Sequence, residues 1–245
     1  KFPVVFISLK GVDGLTFEDA YERLRQLIRN EAFRLAELRG SMAITDEEKS
    51  SYLRIINEKD AFSDISESLR MLCALLEKHY GQKVILLIDE YDVPLDKAYA
   101  HGYYDRMIDL IRAMFSAALK TNDSLFFAVM TGCLRVSKES IFTGLNNLMV
   151  HSISDVSFDE YFGFTDKEVG DMLTFYSLER HCDEAREWYD GYRFGEQNVY
   201  CPWDVINYCY ALRSDPKAEP KAYWLNTSGN AMVRSLIQKA KTGTA

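Results

Sequence analysis

Five consecutive apolar residues, Val84-Ile-Leu-Leu-Ile88, run straight into Asp89-Glu90. A run with no polar position reads as a strand buried on both faces, the situation of a parallel sheet with helices on each side. Two acids at the end of such a strand place two carboxylates at its carboxyl end, where open α/β sheets bind ligands. That one stretch sets both an architecture and a place to look for chemistry.

The rest of the chain supplies partners for this strand. Phe2 to Leu9 is a second strand candidate, interrupted early by Pro3 and ended by Lys10-Gly11. Gly11, Asp13 and Gly14 make a loop, and Thr16 is placed to cap a helix from Phe17 to about Leu38, with Tyr21, Leu24, Leu27, Ile28, Leu35 and Leu38 at helical spacing. Gly40-Ser41 breaks that helix, and Thr45-Asp-Glu-Glu48 carries a capping box for another, ending near Asn57. A third helix starts at Ser63 or Asp64, runs to His79 and is closed by Gly81. After the acidic strand and a loop with Pro94, an amphipathic helix from Tyr103 to Lys120 leads to Leu125–Met130, a second wholly apolar strand ending in Thr131-Gly132. Two such strands joined by a helix form a βαβ unit with a right-handed crossover. Met149–Ile153 reads as a further short strand.

Beyond Phe158 the character changes. Aromatic residues crowd in, and helical patterns cover Asp166–Tyr176, Cys182–Tyr189, Pro202–Leu212 and Ser228–Lys239. The expected organisation is a core domain over 1–157 and a helical, aromatic-rich lid over 158–245.

Composition narrows the function classes. A formal net charge of −8 over 245 residues argues against a protein dominated by a nucleic-acid-binding surface. No apolar stretch approaches the roughly 20 residues needed to span a bilayer. No signal peptide is present, which makes a cytoplasmic home the expectation. The 5 cysteines include no CxxC pair and read as reduced, mostly buried thiols without a zinc site.

Asp89-Glu90 at a buried strand end is the Walker B arrangement of P-loop nucleotidases. There the Asp holds Mg²⁺ through its water shell and the Glu polarises the water that attacks the γ-phosphate. The bland alternative is an acidic strand end that caps the next turn. Asp92 either supports a metal site or begins the Asp92-Val-Pro94 turn, and the turn is the preferred reading. Thr131, ending the neighbouring strand, stands where AAA-type ATPases place the sensor 1 residue that orients the attacking water; otherwise it is part of a strand-ending turn. Arg135, beside Lys138 and Glu139, is a cation able to touch phosphate in the transition state, or a surface ion-pair residue. The phosphate-cradling GxxxxGK[ST] loop is absent, and no glycine is followed by lysine. HExxH and GxSxG are absent as well, and the 4 histidines are scattered. The Glu-x-Lys pairs Glu47/Lys49 and Glu219/Lys221, which a metal-dependent nuclease would want on a strand, fall on a helix start and in a proline-containing loop.

In order, FPVVFISLKG, LLIDEYDVPL, TGCLRVSKESIFTGLNN, FDEYFGFTDKEV, WYDGYRFG, YCPWDVINY and YWLNTSGN resemble the predicted AAA-ATPase-like proteins of bacteria and archaea over nearly the whole chain. The resemblance implies a P-loop NTPase-like parallel sheet with flanking helices, ATP and Mg²⁺ as ligands, and a Walker A segment upstream of Lys1. It also implies, in many members, a downstream PD-(D/E)XK nuclease-like domain, through which alone nucleic acid becomes a partner. No membrane partner is implied. Residue by residue, Asp89 and Glu90 match the Walker B pair, Thr131 matches sensor 1, and Arg135 lies in the signature that follows. ATP hydrolysis in a larger protein is the leading expectation, and this segment alone is expected to be inactive. The alternatives are a non-hydrolysing interaction or regulatory module and a scaffold for the nuclease-like domain.

A sheet lacking the strand that carries the P-loop has open edges, expected beside Leu125–Met130 and Met149–Ile153. Unpaired edges flanked by apolar surface favour aggregation. The isolated segment is therefore expected to be marginal in solution; a sharp thermal transition together with a monomeric elution profile would overturn this.

Overall fold

The computed structural model describes residues 2–57, 65–120, 122–133 and 148–225. These fall into two compact units, the second starting at Leu148 and not near Ser157. In the first unit β1 (Val4–Ser8) leads through a 3₁₀ turn to α1 (Phe17–Arg34). Then come α2 (Asp46–Ile56), α3 (Ser68–Tyr80), β2 (Val84–Asp89), α4 (Val93–His101), α5 (Tyr104–Phe115) and β3 (Leu125–Met130).

Helix starts follow side-chain chemistry. Thr16 accepts the Asp19 N–H and Thr45 accepts the Glu48 N–H, each at 3.2 Å, and both acids return the bond to complete capping boxes. Helix α1 stops at Arg34, short of the expected Leu38, and Ala36–Gly40 continue as a 3₁₀ turn. The buried Tyr52 hydroxyl lies 2.6 and 2.9 Å from the Ala32 and Leu35 carbonyls, which also accept the Leu35 and Leu38 N–H groups, so both are satisfied without another α turn. Gly81, at φ +65°, closes α3 in the left-handed conformation that glycine adopts most readily.

The sheet has the order β1-β2-β3 and is parallel throughout. Val5, Ile7, Val84, Leu86 and Ile88 point into the core, where they meet Leu24 and Ile28 of α1, Leu72 and Leu76 of α3, and Met107 and Ile111 of α5. The opposite face differs from expectation. Burial along β2 alternates, and the adjoining Phe6, Phe127 and Val129 are 47%, 58% and 42% exposed. Phe126, also exposed, stacks on Phe2 with ring centroids 4.4 Å apart. The unbroken apolar sequence thus marks a strand with both faces apolar, while helices of the described residues cover one of them. Met149–Ile153 is not a strand.

The two edges of this sheet are treated differently. At β1, the buried Glu31 accepts the Phe6 N–H at 2.7 Å and is held in a fork by Arg34, whose Nη2 also donates to the Val4 carbonyl at 2.7 Å. Side chains of α1 thereby occupy backbone groups that would otherwise invite another strand. β3 has no strand partner on its outer side among the described residues.

The second unit departs from the helical expectation. Its strands β4 (Phe164–Thr165), β5 (Asp190–Phe194) and β6 (Gln197–Tyr200) form an antiparallel sheet in the order β4-β6-β5. Helices α6 (Asp166–Phe175), α7 (Cys182–Tyr189) and α8 (Pro202–Ser214) accompany it, on the expected segments. Asp166 joins three elements: it takes a forked bond from Arg186 and a 2.7 Å bond from the Tyr200 hydroxyl. Tyr189, Tyr200 and Tyr208 are core residues, whereas Tyr161, Phe162, Phe175 and Tyr210 are largely exposed, so aromatic content did not mean core throughout. The pattern over Ser228–Lys239 lies outside the described residues.

All five cysteines are free, and burial pushes the Cys73 thiol up to about 11. No described helix is long and apolar enough to cross a membrane.

Glu31→Ala removes the shared acceptor of the Phe6 N–H and Arg34. A loss of about 2 kcal/mol in urea unfolding is expected, with elution moving toward larger species as the β1 edge opens. Arg34→Ala, on the half-exposed side of the pair, should cost about 1 kcal/mol.

Candidate functional site

Parallel pairing in register brings the strand ends to one level. Ser8 stands opposite Asp89, and Thr131 follows Met130, which stands opposite Ile88. Alternation along each strand turns these three side chains away from the core into which Ile7 and Ile88 point. Asp89 Oδ2 accepts the Ser8 hydroxyl at 3.0 Å, and Asp89 Oδ1 accepts the Thr131 hydroxyl at 2.6 Å. A single carboxylate is thus held between two hydroxyls from the flanking strands. Each carboxylate oxygen keeps acceptor capacity for a further donor such as water.

The backbone continues the pairing past the last strand residue. Thr131 N–H donates to the Ile88 carbonyl at 2.9 Å, and Tyr91 N–H donates to the Thr131 carbonyl at 3.0 Å. Between these two anchors Glu90 adopts φ +52°, a left-handed conformation that is uncommon outside glycine. Such a conformation costs an L-residue about 1–2 kcal/mol. The chain accepts that cost at the residue directly after Asp89.

Asp92 is the residue before α4, its carbonyl receiving the Leu95 and Asp96 N–H groups, so Val93 and Pro94 open a helix where a turn and loop were expected. The buried Asp92 side chain does something more: Oδ1 accepts the Cys133 N–H at 3.3 Å, which ties the segment after β2 to the segment after β3. Gly132 lies inside this contact. A Cβ there would sit 2.6 Å from Asp92 Oδ1 and 2.7 Å from Tyr91 Cε1. Partial burial, followed by the negative charges of Asp92, Glu90 and Asp89, pushes the Cys133 thiol above its usual range. The carboxylates therefore create a local negative potential at the strand ends.

Among the described residues there is no group of three or more His, Cys, Asp or Glu able to cage a metal ion. What is present fits a hydrated cation instead. Mg²⁺ retains several waters and takes one or two carboxylates together with ligand phosphates, and Asp89 offers oriented acceptors for such waters.

Three of the four sequence candidates, Asp89, Glu90 and Thr131, lie together. Arg135, with Lys138 and Glu139, lies outside the described residues. Ser8 is a site residue beyond the four sequence candidates. Its signal was a polar residue closing an apolar strand, as Asp89 and Thr131 close theirs, but only the register shows that the three are neighbours.

A family profile described as Predicted AAA-ATPase matches residues 1–142. A relative from Azotobacter chroococcum mcd 1, described as an uncharacterized protein in the vnfD 5' region, is 30% identical over 171 residues. That match covers 67% of this chain and 31% of the relative, so the chain spans about a third of the relative's length. No solved structure matches.

The backbone at Glu90 separates stability from side-chain chemistry. Glu90→Gly should leave the unfolding free energy unchanged or raise it by up to about 1 kcal/mol, because glycine adopts this φ freely. Glu90→Val, β-branched at positive φ, should lower it by about 1–2 kcal/mol. Thermal or urea melts of the two variants decide this; equal loss in both would show that the Glu90 side chain itself supports the fold.

Proposed function

The chain belongs to the predicted AAA-ATPase family, and from that premise we propose that it contributes the metal- and water-handling part of an ATP-hydrolysing site in a P-loop NTPase-like protein. The observation that carries this reading is the Asp89 carboxylate held between Ser8 and Thr131 at the carboxyl ends of parallel strands, with Glu90 next in the chain. Ligands of open α/β sheets bind at that end. A single oriented carboxylate suits outer-sphere contact with a hydrated cation better than direct caging.

Bound Mg²⁺ would supply neutralisation of the phosphate charge. Asp89 would hold such a cation by accepting hydrogen bonds from its waters. Glu90 accepts the proton of the attacking water as general base. Thr131, whose hydroxyl donates to Asp89, is assigned to orienting that water. Arg135 is assigned to phosphate charge in the transition state. The acidic strand end is half-buried beside a buried apolar core, which leaves its carboxylates reachable from solvent.

The test uses the natural full-length protein with Mg²⁺ and ATP, measuring nucleotide binding and turnover separately. Glu90→Gln should lower turnover by about 10²–10⁴-fold while binding persists, the range for loss of a positioned general base. Asp89→Asn should raise the Mg²⁺ concentration needed for turnover. A wild type that binds ATP without hydrolysing it would make the acidic strand end part of a non-hydrolysing regulatory module. A wild type that does neither would remove nucleotide chemistry altogether.

A further inference from the structure

We infer that Ser8 is a positioning residue for this site, acting through Asp89 and not on the nucleotide. The inference rests on the reading of Asp89 as the group that holds the hydrated cation.

The last torsion of an aspartate side chain is broad, so rotamer preference alone does not fix the carboxylate plane. Two donors on different oxygens do. Thr131 holds Oδ1 from β3, and Ser8 holds Oδ2 from β1. With Thr131 alone, the carboxylate keeps one anchor and can rotate about it, which moves Oδ2 and spreads the directions of its remaining acceptor sites. With both, the plane is pinned across the three strands.

The bond is not needed to hold the strands together. β1 and β2 are paired from Val4 opposite Ile85 to Ser8 opposite Asp89, and Val5 and Ile7 are fully buried in the core. Removing one hydroxyl at the end of this ladder leaves the pairing and the packing in place. Among the described residues Ser8 Oγ is the hydroxyl that reaches Asp89 Oδ2, so its loss is felt at one atom. Partners that orient a group holding a metal typically contribute about 10–100-fold in metal affinity or activity.

The experiment is an Mg²⁺ titration of ATP turnover in the natural full-length protein, comparing wild type, Ser8→Ala and Ser8→Thr, with thermal melts alongside. Ser8→Ala should raise the half-saturating Mg²⁺ concentration by about 10-fold or more, with the KM for ATP at saturating Mg²⁺ near the wild-type value and the melting temperature little changed. Ser8→Thr, which restores a hydroxyl, should recover most of the Mg²⁺ response. Ser8→Cys, close in size but a weak donor, replaces Ser8→Ala if the latter does not fold, and should show the same rise. The inference is overturned if Ser8→Ala titrates like wild type, or if Ser8→Thr is as impaired as Ser8→Ala, since the effect would then be one of packing. An active wild type with indistinguishable variants removes this inference alone. A wild type without Mg²⁺-dependent turnover removes it together with the ATPase reading.

Discussion

Parallel strands hold the first unit together, and their register decides where its polar groups meet. Strands running the same way cannot be joined by a tight turn, so helices separate β1 from β2 and β2 from β3. In exchange, all carboxyl ends emerge on one side. With Ser8 opposite Asp89 and Thr131 one step beyond the Ile88–Met130 pair, three polar residues from distant parts of the sequence become neighbours. A one-residue slip would turn each of them into the apolar core. The burial of Ile7 and Ile88 on the core face therefore protects the site geometry as well as the fold.

The sheet is finished on one side and bare on others. Glu31 and Arg34 of α1 occupy outer backbone groups of β1, a use of a half-buried ion pair whose value lies in blocking a strand edge. The far face carries Phe6, Phe127 and Val129 in contact with solvent, although parallel sheets are usually covered on both sides. This apolar face belongs with the unpaired outer side of β3. The hydrophobic surface and the open edge point to the same part of the unit as the one least satisfied by the described residues.

At the strand ends, local strain and tight packing coincide. Glu90 takes a left-handed backbone between two hydrogen-bonded anchors, and Gly132 leaves room for Asp92 and Tyr91 where a methyl group would clash. Asp92 then links the two segments that leave β2 and β3. Residues of this kind, held in a costly conformation by the surrounding ladder, are concentrated where a side chain must be aimed.

Much of this was legible in the residues themselves. The apolar run before Asp89-Glu90 announced a parallel strand, the Thr16 and Thr45 capping signals fixed two helix starts, and the helices over Asp166–Phe175 and Cys182–Tyr189 fell where periodicity placed them, because these depend on neighbours within a few positions. What depends on distant neighbours was not legible. The short strands of the second unit were hidden among aromatic residues, since a two- to five-residue strand carries too little pattern to separate from a loop. The exposure of one sheet face was invisible, because composition tells how apolar a strand is and not what covers it. Ser8 is the clearest case: as a residue it is an ordinary serine before a turn, and its bond to Asp89 exists only because two strands 81 residues apart are paired in register. The sequence determined the strands of the first unit, the capped helix starts and which acids end the central strand. The tertiary structure alone decided which hydroxyls Asp89 meets, since that is set by strand register and not by any local preference of the chain.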